Sequence, residues 1–320
     1  MIVHTACNIA PALWYKLGGT VKQFIQVSTK DELINAVESL HETKTDKYFI
    51  CGTGSNLIFA AEYFDGTVIQ ITRTDTKDIV VKGNEITAYA GEILGDVISE
   101  SFEHTLTGLE WAGGLPGTVG AAVRGNVGAY GGEIKDHFIS AEVLEHTETG
   151  VEIKDLQKED MHFVYRGSVI KDNRKLIVLS ATFSLETANA EKLAFAKEIY
   201  EKNKESRIKN HPLEYPNCGS VFKNLRDKDQ IEKVLSVFPD LKENVEKKWY
   251  GKVAVASLIE RLGLKGYRVG NAQISEKHAL FIVNLGDAIP EDVLAIIKKV
   301  QETFMEKFGF TLETEVEIVS

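Results

Sequence analysis

Gly108-Leu109-Glu110-Trp111-Ala112-Gly113-Gly114-Leu115-Pro116-Gly117-Thr118-Val119-Gly120-Ala121-Ala122 opens a stretch, residues 108–132, that holds nine of the chain's 26 glycines. Fixing glycine costs conformational entropy. Such density implies a backbone that passes close to something, or bends where a side chain would clash. Leu115-Pro116-Gly117 reads as a turn leading into small residues, the kind that let a helix start abut a flat ligand. Alone, the stretch also reads as a tightly wound loop in a β-rich domain. A second loop, Cys51-Gly52-Thr53-Gly54-Ser55-Asn56, tips the balance. Both loops follow apolar segments, and two amide-rich loops in one chain point to a bound dinucleotide.

The shorter loop is not a Rossmann fingerprint, which needs a full crossover helix after its glycines. Only residues 57–64 separate it from the turn signal Asp65-Gly66, fewer than the ~10–12 residues of the shortest crossover. It reads as a nest of backbone amides, with Ser55 and Asn56 as extra donors, suited to a pyrophosphate; by itself such a pattern is more often a simple turn.

Working outward, Thr29-Lys30-Asp31-Glu32 has the form of a capping box before apolar Leu33, Ile34, Ala36, Val37 and Leu40, which predicts a helix over 30–41. Strands are expected at 48–51 and 68–71, making a small β-α-β unit. Residues 78–185 are strand-rich around the glycine stretch. A charged helix runs over 190–209, the chain then breaks at Pro212 and Pro216, and a domain boundary is placed near that helix. The last third alternates: a helix over 253–262, a strand over 279–283, and a helix from Pro290 to Gly309. Val293, Ile296, Ile297, Val300, Phe304 and Phe308 form the buried stripe of that last helix. A closing strand is expected over 310–319.

Composition bounds the function. The 320 residues are 43% apolar and 26% charged, with a formal charge of −10, as expected of a globular chain with more than one domain. The acidic balance argues against nucleic-acid binding, so an anionic ligand must be held by local donors. Three separated cysteines, Cys7, Cys51 and Cys218, suit neither a disulfide framework nor a zinc site, and no metal is expected. No apolar run reaches membrane-spanning length and no signal peptide is read, so the expected compartment is the cytoplasm.

With these residues in view, the chain resembles the UDP-N-acetylenolpyruvoylglucosamine reductases. The resemblance is carried by Gly52-Thr53-Gly54-Ser55-Asn56, the run 108–120, Asn126-Val127-Gly128-Ala129-Tyr130-Gly131 and Tyr165-Arg166-Gly167-Ser168. It continues in Gly219-Ser220-Val221-Phe222-Lys223-Asn224, Gly263-Leu264-Lys265-Gly266, Ser275-Glu276-Lys277-His278 and Glu315-Val316. These blocks stand in the family's order over nearly the whole chain. The resemblance implies an α+β fold: a two-part FAD-binding region of the vanillyl-alcohol-oxidase (PCMH) type, over 1–72 and 73–188, and a C-terminal α/β substrate-binding domain over 189–309. The closing strand, 310–320, is expected to join the first part. It also implies a monomer using FAD and NADPH to reduce an enolpyruvyl UDP-sugar to UDP-N-acetylmuramate, a peptidoglycan precursor. The implied cofactor residues are Gly52, Thr53, Gly54, Ser55, Asn56, Gly113, Gly114, Pro116, Gly117, Thr118, Gly120, Ala121, Arg124, Asn126 and Gly128.

The chemistry sets requirements of its own. Hydride addition to C3 of a vinyl ether bearing a carboxylate leaves an enolate-like anion that must be stabilised and then protonated at C2. Arg166 suits the carboxylate, because a guanidinium is always charged and grips with two donors; without the resemblance it would read as a surface arginine. The family pattern makes Ser220 the proton donor, where a serine after glycine is otherwise a turn residue. Glu313, Glu315 and Glu317 share one strand face, normally a solvent face; the Glu-Val match selects Glu315 as the residue near the enolate. Tyr165, Lys223, Asn224, Lys265, Gln273 and His278 match positions that meet the UDP-sugar or the nicotinamide.

The chain departs from the family pattern at Ala121, which replaces a usual glycine, and in its loosely matching start, Tyr15-Lys16-Leu17-Gly18-Gly19. The stretch from Arg166 to Ser220 is too short for the substrate-closing tyrosine loop of some relatives, and an extra polar stretch runs over 225–253. Two other functions fit the same sequence: an oxidase of hydroxy acids or sugar lactones on the same FAD fold, and a nucleotide-binding protein that has lost the chemistry.

Overall fold

The computed structural model describes residues 1–320. Contacts divide the chain into two compact units. Met1–Cys7, Thr20–Thr53 and Tyr63–Lys209 form the first; Asn8–Gly19, Gly54–Glu62 and Asn210–Ser320 form the second. The two regions expected at 1–72 and 73–188 thus contribute mainly to one unit.

The first unit opens with the β-α-β element. Thr29 Oγ1 accepts from Glu32 N at 3.2 Å, and the Glu32 carboxylate turns back to Ser28 N at 2.8 Å, so the capping pair starts helix Lys30–Glu42 as its sequence requires. Leu33, Ala36, Val37 and Leu40 are its buried face. The helix links strand Thr20–Val27 to Tyr48–Cys51, and Tyr63–Ile71 lies between them, parallel to both, with Ile2–Asn8 at the edge. Asp65-Gly66, expected to be a turn, lies inside strand Tyr63–Ile71. The register steps from Val21 opposite Phe64 to Gln23 opposite Thr67, so two residues face one in a bulge. Glycine is needed there because a Cβ on Gly66 would stand 2.4 Å from the Lys47 carbonyl oxygen.

A five-stranded antiparallel sheet completes this unit, in the order Gly150–Gln157, Phe138–Thr147, Leu176–Ser184, Glu85–Tyr89, Ile79–Lys82. Its apolar residues share one core with helix Lys30–Glu42 and with helices Leu94–Glu103 and Val119–Arg124. Helix Ala190–Asn210, grouped by sequence with the C-terminal domain, belongs to the first unit up to Lys209. It has almost no apolar stripe, burying only Ala196 and Arg207. Instead it packs backbone against backbone: a Cβ on Gly113 would meet the Tyr200 carbonyl oxygen at 2.2 Å.

The second unit holds the four-stranded antiparallel sheet Asn217–Ser220, Phe281–Asn284, Ala272–Ile274, Arg268–Val269. Helix Pro290–Phe308 starts on its proline, buries all six expected apolar residues and ends at Gly309 in the left-handed region, φ 73°. The extra stretch is folded. Its neck is the antiparallel bridge Leu225–Val253, and Ile231 and Val234 of helix Lys228–Val237, with Leu241 and Val245, join the second core. The expected closing strand is shorter than its alternation suggested. Only Glu317–Val319 is regular, pairing in parallel with Leu57–Phe59, while Thr314 bridges to Phe222 on a different backbone.

Candidate active site

In the first unit the two glycine stretches abut. A Cβ on Gly52 would lie 2.7 Å from Thr118 Oγ1, and Gln70 Nε2 donates to the Gly52 carbonyl at 3.1 Å. Several glycines there answer to the protein rather than to a ligand. Gly120 N donates to the Ala90 carbonyl and Val119 N to that of Glu92, both at 2.9 Å, so these two amides are not open donors. A Cβ on Gly120 would stand 2.9 Å from that of Ala90. Gly113 is fixed by Tyr200, as above, and Gly114 has a left-handed φ of 69° beside Arg207. The Asn126 side chain is also committed: it is buried, donates to Val164 O at 2.9 Å and to Glu133 Oε2 at 3.2 Å, and accepts from Lys135 N. Pro116 and Ala121 are exposed and Gly117 half-buried, at φ 111°. The Arg124 carbonyl accepts from Ser168 Oγ at 2.7 Å.

Three buried polar atoms have no hydrogen-bond partner within the protein; besides Glu92 Oε2 they are Thr53 Oγ1 in the shorter loop and Trp111 Nε1 in the longer. An unsatisfied buried group costs about 1–3 kcal/mol. A ligand bringing acceptors to both loops relieves that cost, which is what an FAD-sized dinucleotide brings. The residues fit the group.

Arg166 belongs to the same unit. It occupies the left-handed region, φ 59°, in a tight turn closed by paired bonds between Val164 and Gly167, and Lys171 Nζ holds its carbonyl at 2.8 Å. Its guanidinium donates from Nη2 to the Gly128 carbonyl at 2.7 Å and lies 5.1 Å from the Tyr165 ring centroid. Gly128 cannot carry a side chain, since a Cβ would meet Gly132 O and Glu133 Cγ at 2.7 Å.

In the second unit Ser220 and Glu315 come from neighbouring backbones. Ser220 pairs with Phe281, Val221 N donates to Leu280 O, and Glu315 N donates to the Val221 carbonyl at 2.7 Å. The end of the shorter loop is built into the same place. Asn56 Nδ2 donates to the Glu315 carbonyl at 3.3 Å, Glu317 N donates to that of Asn56, and the Ser55 carbonyl lies 3.9 Å from a Cβ placed on Gly219. Gly54 and Gly219 have left-handed φ of 73° and 79°. Glu315 is half-buried, whereas Glu313 is exposed and paired with Lys223 at 2.8 Å.

The remaining substrate candidates divide. Asn224 Oδ1 accepts from Val255 N at 3.1 Å, at the start of helix Val255–Arg261, and Gln273 Nε2 donates to Gly266 O at 3.0 Å. Lys265 pairs with Glu260 at 2.9 Å. His278 packs edge-on to His211 and Phe281, at 5.4 and 4.9 Å between centroids. Burial pushes its pKa below the ordinary value, with Lys265 acting the same way against the opposing pull of Glu260. Its Nδ1 accepts from Leu280 N at 3.3 Å, which leaves the proton of the neutral ring on Nε2.

Sequence reasoning missed three neighbours of these residues. His211 flanks His278; Trp111 supplies the orphaned indole; Arg207, only 9% exposed, donates from Nε to Gly113 O at 2.9 Å. Trp111 lies within the quoted motif, where the glycines rather than its indole carry the signal. Nothing in the charged run 190–209 distinguishes Arg207 from the lysines around it.

Residues 211–319 match a family model described as the C-terminal domain of UDP-N-acetylenolpyruvoylglucosamine reductase, and residues 21–154 match one described as an FAD binding domain. A UDP-N-acetylenolpyruvoylglucosamine reductase of Caldicellulosiruptor saccharolyticus is 41% identical over 95% of this chain and 88% of that protein. One from Caldicellulosiruptor bescii is 38% identical over 95% of this chain and 87% of that protein. The crystal structure of UDP-N-acetylenolpyruvylglucosamine reductase from Thermus caldophilus superposes with a TM-score of 0.74 at 27% identity, covering 100% of this chain and 98% of that one.

Proposed function

This chain belongs to the UDP-N-acetylenolpyruvoylglucosamine reductase family, and from that premise we propose that it reduces the enolpyruvyl group of UDP-N-acetylglucosamine enolpyruvate to give UDP-N-acetylmuramate, with NADPH as electron source. The observation that supports the chemistry best is the Glu315 N–H bond to the Val221 carbonyl, which sets the matched glutamate beside the strand end that carries Ser220. FAD is assigned chiefly to the first unit and the UDP-sugar to the second.

Bound FAD, once reduced, supplies hydride to C3 of the enolpyruvyl group. The side chains do the rest. Arg166 grips the substrate carboxylate and takes up charge as the enolate develops. Glu315 is the carboxyl assigned to the side of that enolate, and Ser220 delivers its proton to C2. Lys223 and Lys265 now hold glutamates in solvent-exposed pairs. Such pairs are worth about 0–1 kcal/mol, so a diphosphate displaces the carboxylates at little cost. The Nε2–H of neutral His278 is a donor for an uncharged oxygen of the sugar or nicotinamide.

No helix is long and apolar enough to cross a membrane. The same reading makes the enzyme a cytoplasmic monomer; size-exclusion chromatography with light scattering checks the monomer.

The test of the chemistry is Ser220→Ala. Reoxidation of reduced flavin by the enolpyruvyl UDP-sugar should slow about 10²–10⁴-fold, the usual worth of a positioned acid, while reduction by NADPH keeps its rate. Unchanged reoxidation would sink the assignment.

A further inference from the structure

We propose that Arg207 is a positioning residue for Arg166: it pins the glycine-rich stretch and the hairpin tip to helix Ala190–Asn210, and so fixes the Gly128 carbonyl that aims the Arg166 guanidinium. The inference rests on the reading that Arg166 grips the substrate carboxylate.

A flexible side chain must present its guanidinium in one orientation, and one anchor of that orientation is the 2.7 Å bond to Gly128 O. That carbonyl is only as fixed as the small hairpin carrying it. Gly128–Ala129 pairs with Gly132–Glu133 through just two residue pairs. The tip, Tyr130-Gly131, has φ of 49° and 95°, and nothing lies within 4 Å of a Cβ placed on Gly131. So short and glycine-rich a ribbon is not stable by itself.

Helix Ala190–Asn210 supplies what the ribbon lacks. The Arg207 guanidinium lies over the Tyr130 ring, 5.2 Å from its centroid, and Tyr130 O–H donates to Asn203 O at 3.3 Å. The same Arg207 donates from Nε to Gly113 O, and its Cδ would stand 3.2 Å from a Cβ on Gly114. One side chain therefore ties the helix to both the glycine stretch and the hairpin. Trp111 closes the loop, its ring filling the space a Gly132 side chain would occupy, at 2.3 Å. Arg207 meets a carbonyl and an aromatic face rather than a carboxylate, yet it is buried. Burial depresses its pKa, which Tyr130 offsets and Arg166 reinforces. A cation is held in such a place for its geometry, because a neutral side chain of similar size would be cheaper to bury.

The experiment uses the FAD-loaded enzyme and three variants, Arg207→Met, Tyr130→Phe and Arg166→Lys, with the two half-reactions followed separately under anaerobic conditions. Arg207→Met should slow flavin reoxidation by the enolpyruvyl UDP-sugar about 10–100-fold, the cost of misplacing a catalytic group by roughly an ångström, without slowing flavin reduction by NADPH. Tyr130→Phe, which removes one hydroxyl, should show the same split at about 2–10-fold, the worth of one ordinary hydrogen bond. Amide hydrogen exchange of the flavin-free protein should speed up at 128–133 in Arg207→Met and stay unchanged at 138–147. Combining Arg207→Met with Arg166→Lys should slow reoxidation no further than Arg166→Lys does alone.

Additive effects in that double variant would overturn the proposal, as would equal slowing of both half-reactions. A raised KM for NADPH or the sugar with the saturated rate intact would mean that Arg207 meets a ligand directly. Should Arg207→Met fail to hold flavin, Tyr130→Phe decides by the same split. If Arg166→Lys itself leaves reoxidation untouched, the reading of Arg166 fails and takes the clamp with it; if Arg166→Lys slows reoxidation and Arg207→Met does not, the clamp fails alone.

Discussion

Gly113→Ala isolates the contact on which the arrangement of the first unit depends. The added methyl would stand 2.2 Å from the Tyr200 carbonyl oxygen and 3.1 Å from Asn203 Cβ. An ordinary carbon–oxygen contact needs more than 3 Å, so helix and loop must part by about 1 Å, because a backbone carbonyl cannot rotate away as a side chain can. Overpacking of this kind costs about 1–3 kcal/mol. In a unit of this size each kcal/mol lowers the melting temperature by about 2–4 °C. Gly114→Ala is the control. Its left-handed φ of 69° makes alanine unfavourable by about 1–2 kcal/mol, but the nearest atoms, Arg207 Cδ and the Lys204 Cα, stand at 3.2 Å, a contact relieved by a few tenths of an ångström. Thermal unfolding of the two flavin-free variants should therefore show the larger loss at Gly113, and Gly113→Ala should also retard reoxidation by the UDP-sugar. Equal melting temperatures for Gly113→Ala and the parent would refute the reasoning, since they would mean that helix and glycine stretch are not in contact.

Three further outcomes follow. Among the carboxylates of the closing segment, Glu315→Gln should impair sugar reduction far more than Glu313→Gln or Glu317→Gln, for Glu313 is exposed and paired with Lys223; similar mild losses in all three would reject the assignment of Glu315. Burial holds the folded-state pKa of His278 below the ordinary value of 6.5, so protonation is disfavoured in the folded state. Its effect on stability is neutral above pH 6.5 and becomes a growing loss as pH falls from there to the folded pKa; His278→Gln should flatten that part of a denaturation-versus-pH curve, and an unchanged slope would contradict it. Cys218 is 1% exposed and burial raises its thiol pKa far above the usual range; in native protein at pH 8 it should resist iodoacetamide while denatured protein reacts, and rapid native labelling would show that this strand end opens.

What the sequence revealed depended on how local the controlling physics was. Helix Pro290–Phe308 was legible to its ends, since proline, glycine and six buried apolar residues all act within a few turns. The capping pair at Thr29 and Glu32 was equally local. Asp65-Gly66 misled because its glycine answers to the Lys47 carbonyl, a partner no short-range pattern contains. The closing strand was too long in the reading because its alternation continues across two different partners, Phe222 for Thr314 and Leu57–Phe59 for Glu317–Val319. Among the site candidates, Ser220, Glu315 and Arg166 were singled out by ordered motifs. Glycine density marked the candidate cofactor loops but not the reason for each glycine: Gly113 and Gly120 are spaced by Tyr200 and Ala90. Arg207 was invisible, one cation in a charged helix whose packing face is backbone rather than an apolar stripe.

The central claim is that this chain carries FAD and passes electrons from NADPH to an enolpyruvyl UDP-sugar. It is tested most directly by the visible absorption spectrum of the purified protein without oxygen, first with NADPH and then with UDP-N-acetylglucosamine enolpyruvate. The yellow flavin band should bleach with the nucleotide and return in full with the sugar. A colourless protein that FAD cannot reconstitute, or a bleached flavin that only oxygen reoxidises, would contradict it.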